Sequence, residues 1–191
     1  YAGSKFLAYE ASANVPMMVR GPGVARDQRS GAIVSNVDLA PTFADLAGTR
    51  LLIPPDGRSM KRLFREPKKV GRRAVILESY RLPSNALYTH LQGEGIETPD
   101  DLDASSSAVV PALNYTAIRA GRYKYVQYEA GGRELYDLRL DPYEVSNRIH
   151  WPAYRKVVQT FQRQMKWRRF CSGRTCRKGT GRLPLPKLRR H

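Results

Sequence analysis

The stretch "YTAIRAGRYKYVQYEAGGRELYDL" constrains the fold more than any other part of this chain. β-Branched and aromatic residues recur through it, and the pairs Ala120-Gly121 and Gly131-Gly132 interrupt it. That pattern predicts three strands, near residues 115–119, 123–128 and 134–138, joined by tight turns. Tyr123 and Tyr125, with Tyr128 as a further candidate, alternate with polar residues. The expected sheet is therefore antiparallel, with one face in water. Upstream, "AVILES" (Ala74 to Ser79) reads as another, buried strand. Downstream, Pro152 to Arg169 reads as an amphipathic helix, because Tyr154, Val158, Phe161 and Met165 recur at helical spacing. That apolar face is expected to cover the sheet.

The N-terminal third has a different texture. In "VPMMVRGPGV", Val15 to Val19 predict a buried strand, and Gly21-Pro22-Gly23 its exit loop. "SNVDLAPTFADLAG" predicts a helix that Asp38 can cap, that tolerates Pro41 in its first turn and that ends at Gly48. Leu39, Phe43, Leu46 and Ala47 would form its core face. "LLIPPDGRSM" is a proline-rich crossing, and the polar stretch 93–107 reads as a loop.

Charge is unevenly spread. The net charge is +16, yet Val145 to His191 carry 14 Lys or Arg and no Asp or Glu, so the first 144 residues are nearly balanced. A basic tail of this kind meets polyanions or is simply a solvated arm. Trp167 and Phe170 alone lie among the arginines, too little interleaving to single out nucleic acid. No apolar run approaches the ~20 residues of a membrane-spanning helix. The chain opens at "YAGSKFLAYE" without Met, from which an upstream part is expected.

The residues that can carry chemistry are few. Cys171 and Cys176 bracket "SGRT". Zinc wants about four ligands, and the spacing is C-x4-C rather than a redox C-x-x-C. A local disulfide is the favoured reading, with two free thiols or a metal site as the others; a disulfide would imply an oxidising compartment. Asp137, Asp141 and Glu144 are spaced to hold a cation, or to shape the turn that Asp141-Pro142 starts. His90, beside a glycine-bearing loop, is a candidate substrate contact. Lys5 stands close to Tyr9 and Glu10; a lysine is a point charge suited to an anionic oxygen.

Taken in order, "GSKFLAYEASANVPMMVRGPGV", "VSNVDLAPTFADLAG", "DGRSM", "AIRAGRYKYVQY" and "ELYDLRLDPYEVSN" resemble the C-terminal part of a type I sulfatase. The final "CSGRTCR" is similar to the ending of the N-acetylglucosamine-6-sulfatase branch. The resemblance implies an alkaline-phosphatase-like α/β fold, its smaller portion an antiparallel sheet packed on a long C-terminal helix. It implies domains at 1–70 (completing a large α/β domain) and 71–177 (a smaller α+β subdomain), while the Gly/Pro/Arg-rich composition of 178–191 predicts a basic disordered tail. It implies a hydrolase of sulfate esters, on amino sugars, glycosaminoglycans or aryl compounds, using a formylglycine and Ca2+. The formylglycine motif and the metal ligands are absent from these residues, so they are expected in an N-terminal half outside this chain. Lys5 matches the lysine of the family pattern G-x-K-x-x-x-Y-E, which contacts the substrate sulfate. Secretion, or a periplasmic or lysosomal location, follows from the same resemblance. The alternative function is a polyanion-binding module using the basic tail.

Overall fold

A computed structural model describes residues 7–69, 74–80, 114–129 and 131–187. Its centre is a four-stranded antiparallel sheet in sequence order: β1 (Ala74–Ser79), β2 (Tyr115–Ala120), β3 (Tyr123–Tyr128) and β4 (Arg133–Asp137). Ile118 lies opposite Tyr125, and Tyr125 opposite Leu135, so the large side chains form a cross-strand row on one face. The β2–β3 turn is two residues long, and Gly121 takes its first place at φ +54, where a side chain would be strained.

The helix α4 (Arg155–Arg168) is entered through a 3-10 turn over Pro152–Tyr154, whose proline needs no N–H at that position. Val157, Val158, Phe161 and Met165 are buried against Ile118, Tyr123, Tyr125 and Leu135. The Phe161 ring stacks on Tyr125 at 6.0 Å and meets Tyr123 edge-on at 6.1 Å. Complete burial of each such side chain contributes about 1.5–3 kcal/mol, so this interface is the main core.

The second sheet face is covered as well, which corrects the expectation of one wet face. Ala8 packs with Tyr115, Ala117 and Val126, and Lys124 on that face is fully buried. Alternation in β3 thus separates an aromatic face from a charged one, and both lie inside the protein.

The N-terminal third departs further from expectation. Short helices α1 (Glu10–Ala13), α2 (Leu39–Leu46) and α3 (Lys61–Arg65) are present, but Val15 to Val19 form no strand and are exposed, Met18 at 95%. In α2 the buried residues are Thr42 and Ala44, while Phe43 is 63% exposed. Among the described residues nothing covers the leucine and phenylalanine positions, so the helix rests on its small polar side instead. Asp38 does not cap α2 through its side chain. Its carboxylate accepts from the Ser35 N–H at 3.0 Å and the Arg58 N–H at 2.8 Å. This brings "DGRSM" against the helix start, so closely that a Cβ on Gly57 would lie 1.8 Å from the Val37 carbonyl oxygen.

Residues 178–187 are not the disordered arm that composition predicts. Tyr123 donates its hydroxyl to the Pro184 carbonyl at 3.0 Å, the Lys187 N–H reaches the Ala153 carbonyl, and Leu183 packs on the main core. Leu183 supplies the apolar contact that holds this strap on the domain, while Leu185 is exposed.

Candidate functional site

The sequence points to the segment around Lys5, and the structure describes it from Leu7 onward. Lys5 and His90 lie outside the described residues. Ala8 anchors the segment on the second sheet face, and Tyr9 meets Tyr136 edge-on with ring centres 5.9 Å apart. Glu10 follows, and its carboxylate enters a charged cluster. Lys124 Nζ lies 2.8 Å from Glu10 Oε1 and 2.8 Å from Glu144 Oε1. Arg119 Nε donates to Glu10 Oε1 at 3.2 Å, and the Glu10 N–H donates to Glu144 Oε2. Two cations face two carboxylates; Lys124 and Glu144 are buried, while Arg119 and Glu10 are 19% and 21% exposed. Around them burial pushes the Glu134 carboxyl and the Tyr128 and Tyr136 phenols up from their usual ranges.

The three carboxylates spaced for a cation do not converge. Asp137 receives Arg122 in a two-pronged pair at 2.6 Å each, together with the Tyr154 hydroxyl at 3.0 Å. Asp141 accepts the Val145 and Ser146 N–H groups and shapes the turn. Glu144 turns inward to Lys124. Among the described residues no group of three or more His, Cys, Asp or Glu could hold a metal ion. The described residues therefore do not fit calcium.

Cys171 and Cys176 form a disulfide, with Cα atoms 5.0 Å apart. The loop it closes is a docking element. The Gly173 N–H donates to Asp56 Oδ1, the Arg177 guanidinium donates to the Pro55 carbonyl, and Arg58 donates back to the Arg177 carbonyl. The staple thereby joins the end of α4 to the proline-rich crossing. Arg168, 1% exposed, donates to Gln164 and to the carbonyls of Cys176 and Lys178, which turns the chain back along the helix. Composition gave no sign of it, since a last-turn arginine ordinarily faces water. Lys124 was equally hidden, and Glu144, read with Asp137 and Asp141 as a cation site or a turn, gave no sign of its inward partner.

The chain superposes on parts of longer solved proteins. A phosphonate monoester hydrolase from Silicibacter pomeroyi superposes with TM-score 0.62 at 21% identity, covering 90% of this chain and 32% of that one. A protein solved in complex with its substrate D-glucosamine-2-N,6-O-disulfate superposes with TM-score 0.53 at 23% identity, covering 75% and 26%. These likenesses show the fold: the C-terminal portion of an alkaline-phosphatase-like sulfatase architecture. The N-acetylglucosamine-6-sulfatase of Capra hircus is 29% identical over 188 residues, covering 88% of this chain. The chain spans about a third of the length of that relative, 32%. Residues 3–100, more than half of the chain, match the family described as N-sulphoglucosamine sulphohydrolase, C-terminal, and the chain belongs to that sulfatase family.

Proposed function

We propose that this chain is the C-terminal part of a sulfatase acting on sulfate esters of amino sugars. Family membership carries the proposal: residues 3–100 match, and that span includes Lys5. The relatives add substrate chemistry, since one is named an N-acetylglucosamine-6-sulfatase and one structure holds a disulfated glucosamine. Here Lys5 binds a sulfate oxygen and stabilises the transferring anion electrostatically. His90 belongs to the pocket wall. The formylglycine nucleophile and the ligands of a calcium ion are supplied by a part of the protein outside this chain. Residues 1–70 complete the large α/β domain with that part, and 71–177 form the smaller subdomain. The Cys171–Cys176 staple suits an oxidising compartment, whether secreted, periplasmic or lysosomal. No helix among the described residues is long and apolar enough to cross a membrane.

The test has two arms. Expressed alone with calcium, residues 1–191 give no turnover of an aryl sulfate; turnover would refute the division of labour. In the complete polypeptide, Lys5→Ala lowers kcat/KM on a 6-sulfated glucosamine by roughly 10²-fold, the scale of losing one donor to a developing anion. Wild-type kinetics from that variant would remove Lys5 from the site.

A further inference from the structure

The fold gathers the charge of the C-terminal region in one place. Residues 145–191 carry 14 Lys or Arg and no Asp or Glu, and the strap 178–187 folds back along α4. It is fastened at both ends. Near the end of the helix the Gln164 amide donates to the Thr180 carbonyl at 3.3 Å, and Arg168 to the Lys178 carbonyl at 2.6 Å. At the helix entrance the Lys187 N–H donates to the Ala153 carbonyl at 3.0 Å. Between these fastenings lies an open groove of about 650 Å3, lined by Lys156, Gln159, Thr160 and Arg163 of the helix and by Arg182 to Leu185 of the strap.

The groove is cationic and nothing in it offsets the charge. Lys156 and Arg163 stand two helical turns apart, about 10 Å along one face of α4, and Arg182 lines the strap side. All three are exposed, and no carboxylate lines the groove. Among the described residues none of the three takes part in an ion pair. Other cations are answered within the protein. Arg122 is paired with Asp137, Lys124 with Glu10 and Glu144, and beside α3 the Glu66 carboxylate takes Arg62 and Lys69. Clustered like charge weakens a compact state, and an anion set among the cations relieves that repulsion.

The partner that fits is a chain of spaced anions. An open groove admits a polymer, and cations two turns apart match negative groups repeated along it. No aromatic ring lines the groove, so it lacks the stacking platform that single-stranded nucleic acids use. The Thr160 hydroxyl is engaged by the Lys156 carbonyl at 2.9 Å, which leaves the Gln159 amide to meet hydroxyl groups, as a sugar chain requires. The geometry points to a binding groove for a sulfated glycan chain, held by Lys156, Arg163 and Arg182. The inference rests on the reading of this chain as part of a sulfatase for amino-sugar sulfates. It adds a surface that holds the polymer carrying those esters.

Binding and kinetics test this separately. A fluorescently labelled heparin hexasaccharide is titrated into the complete polypeptide in rising salt. The triple variant Lys156→Gln, Arg163→Gln and Arg182→Gln should bind it about tenfold more weakly, the scale of three exposed ion pairs. Its salt slope should be shallower by roughly 2, at about 0.7 per contact on a single-stranded polyanion. A control that removes equal charge, Arg26→Gln with Arg29→Gln and Lys68→Gln, should keep the wild-type affinity. A single-stranded DNA of the same charge should bind more weakly than the hexasaccharide. In turnover, the groove variant should raise KM on a 6-sulfated hexasaccharide by a similar factor and by much less on the monosaccharide. Unchanged hexasaccharide affinity, an equal loss in the control, DNA bound as tightly as the glycan, or a KM that rises as much on the monosaccharide overturns the inference. A polypeptide that binds the hexasaccharide through these three residues yet turns over no sulfated amino sugar would sink the sulfatase reading and leave the groove standing.

Discussion

Tyr154 shows how one side chain's surroundings set a measurable pH dependence. Its ring is buried in the main core and its hydroxyl donates to Asp137, already paired with Arg122. Burial first, then this hydrogen bond to a carboxylate, pushes the phenol up from 10.0 to about 12. In the unfolded chain the group loses its proton near its ordinary value. Between those two values the unfolded state therefore binds fewer protons than the folded one, and stability falls as pH rises through the window. Below it the phenol is protonated in both states and adds no slope. Replacing Tyr154 by Phe should remove about one proton from the pH dependence of unfolding, ~1.4 kcal/mol per pH unit within the window. Urea titrations at stepped alkaline pH read that difference. An identical slope in both proteins would mean that the phenol ionises freely in the fold.

At the scale of elements, the disulfide loop makes the plainest prediction. Closing so short a loop restricts the unfolded chain by about 2 kcal/mol. The loop also presents the Gly173 N–H to Asp56 and Arg177 to Pro55. Cys171→Ser with Cys176→Ser should cost about 2 kcal/mol in denaturant unfolding, and should expose the Pro55–Arg58 segment to limited proteolysis. A thiol titration of the unreduced protein should find none free. Unchanged stability and unchanged cleavage would make the staple incidental.

The elements themselves differed in how openly the sequence announced them. The strands around Ile118, Tyr125 and Leu135 and the helix carrying Val158, Phe161 and Met165 were legible, because each places its apolar residues at its own period and both halves of that core lie in this chain. The covered second face was not. Lys124 obeys the alternation of a solvent-facing residue, and only the return of Ala8 and Glu10 from far away in sequence buries it. The tail misled for the opposite reason: its charge masked Leu183, which packs on the main core, and Pro184, whose carbonyl accepts the Tyr123 hydroxyl. Of the candidate site, the cysteine pairing was readable from spacing. Whether Asp137, Asp141 and Glu144 form a cation site or a turn was decided only by which partners reached each carboxylate.

For the whole molecule, the exposed apolar side chains matter most. Val15, Met17, Met18 and Val19 lie open, as do Leu39, Phe43 and Leu46 on α2, and Leu52 and Ile53 beyond it, with Met18 at 95% and Leu52 at 102%. An apolar run marked the first group as core and helical spacing the second, and the structure leaves both uncovered. Both observations hold together if these runs pack against the remainder of a sulfatase domain, since the chain spans 32% of its relative's length. Apolar surface of this extent drives association when its partner is absent. Sedimentation of the isolated chain should therefore show concentration-dependent oligomers. Met18→Ser with Phe43→Ser and Leu52→Ser should shift the protein toward monomer. The same variant should keep the melting of the sheet–α4 core within about 0.5 kcal/mol, the ordinary range for surface changes. If a complete polypeptide covers those runs, it should stay monomeric by this route but lose stability with the same three substitutions. An isolated chain that is monomeric at every concentration would show that these runs are ordinary surface and that the domain does not need its other part.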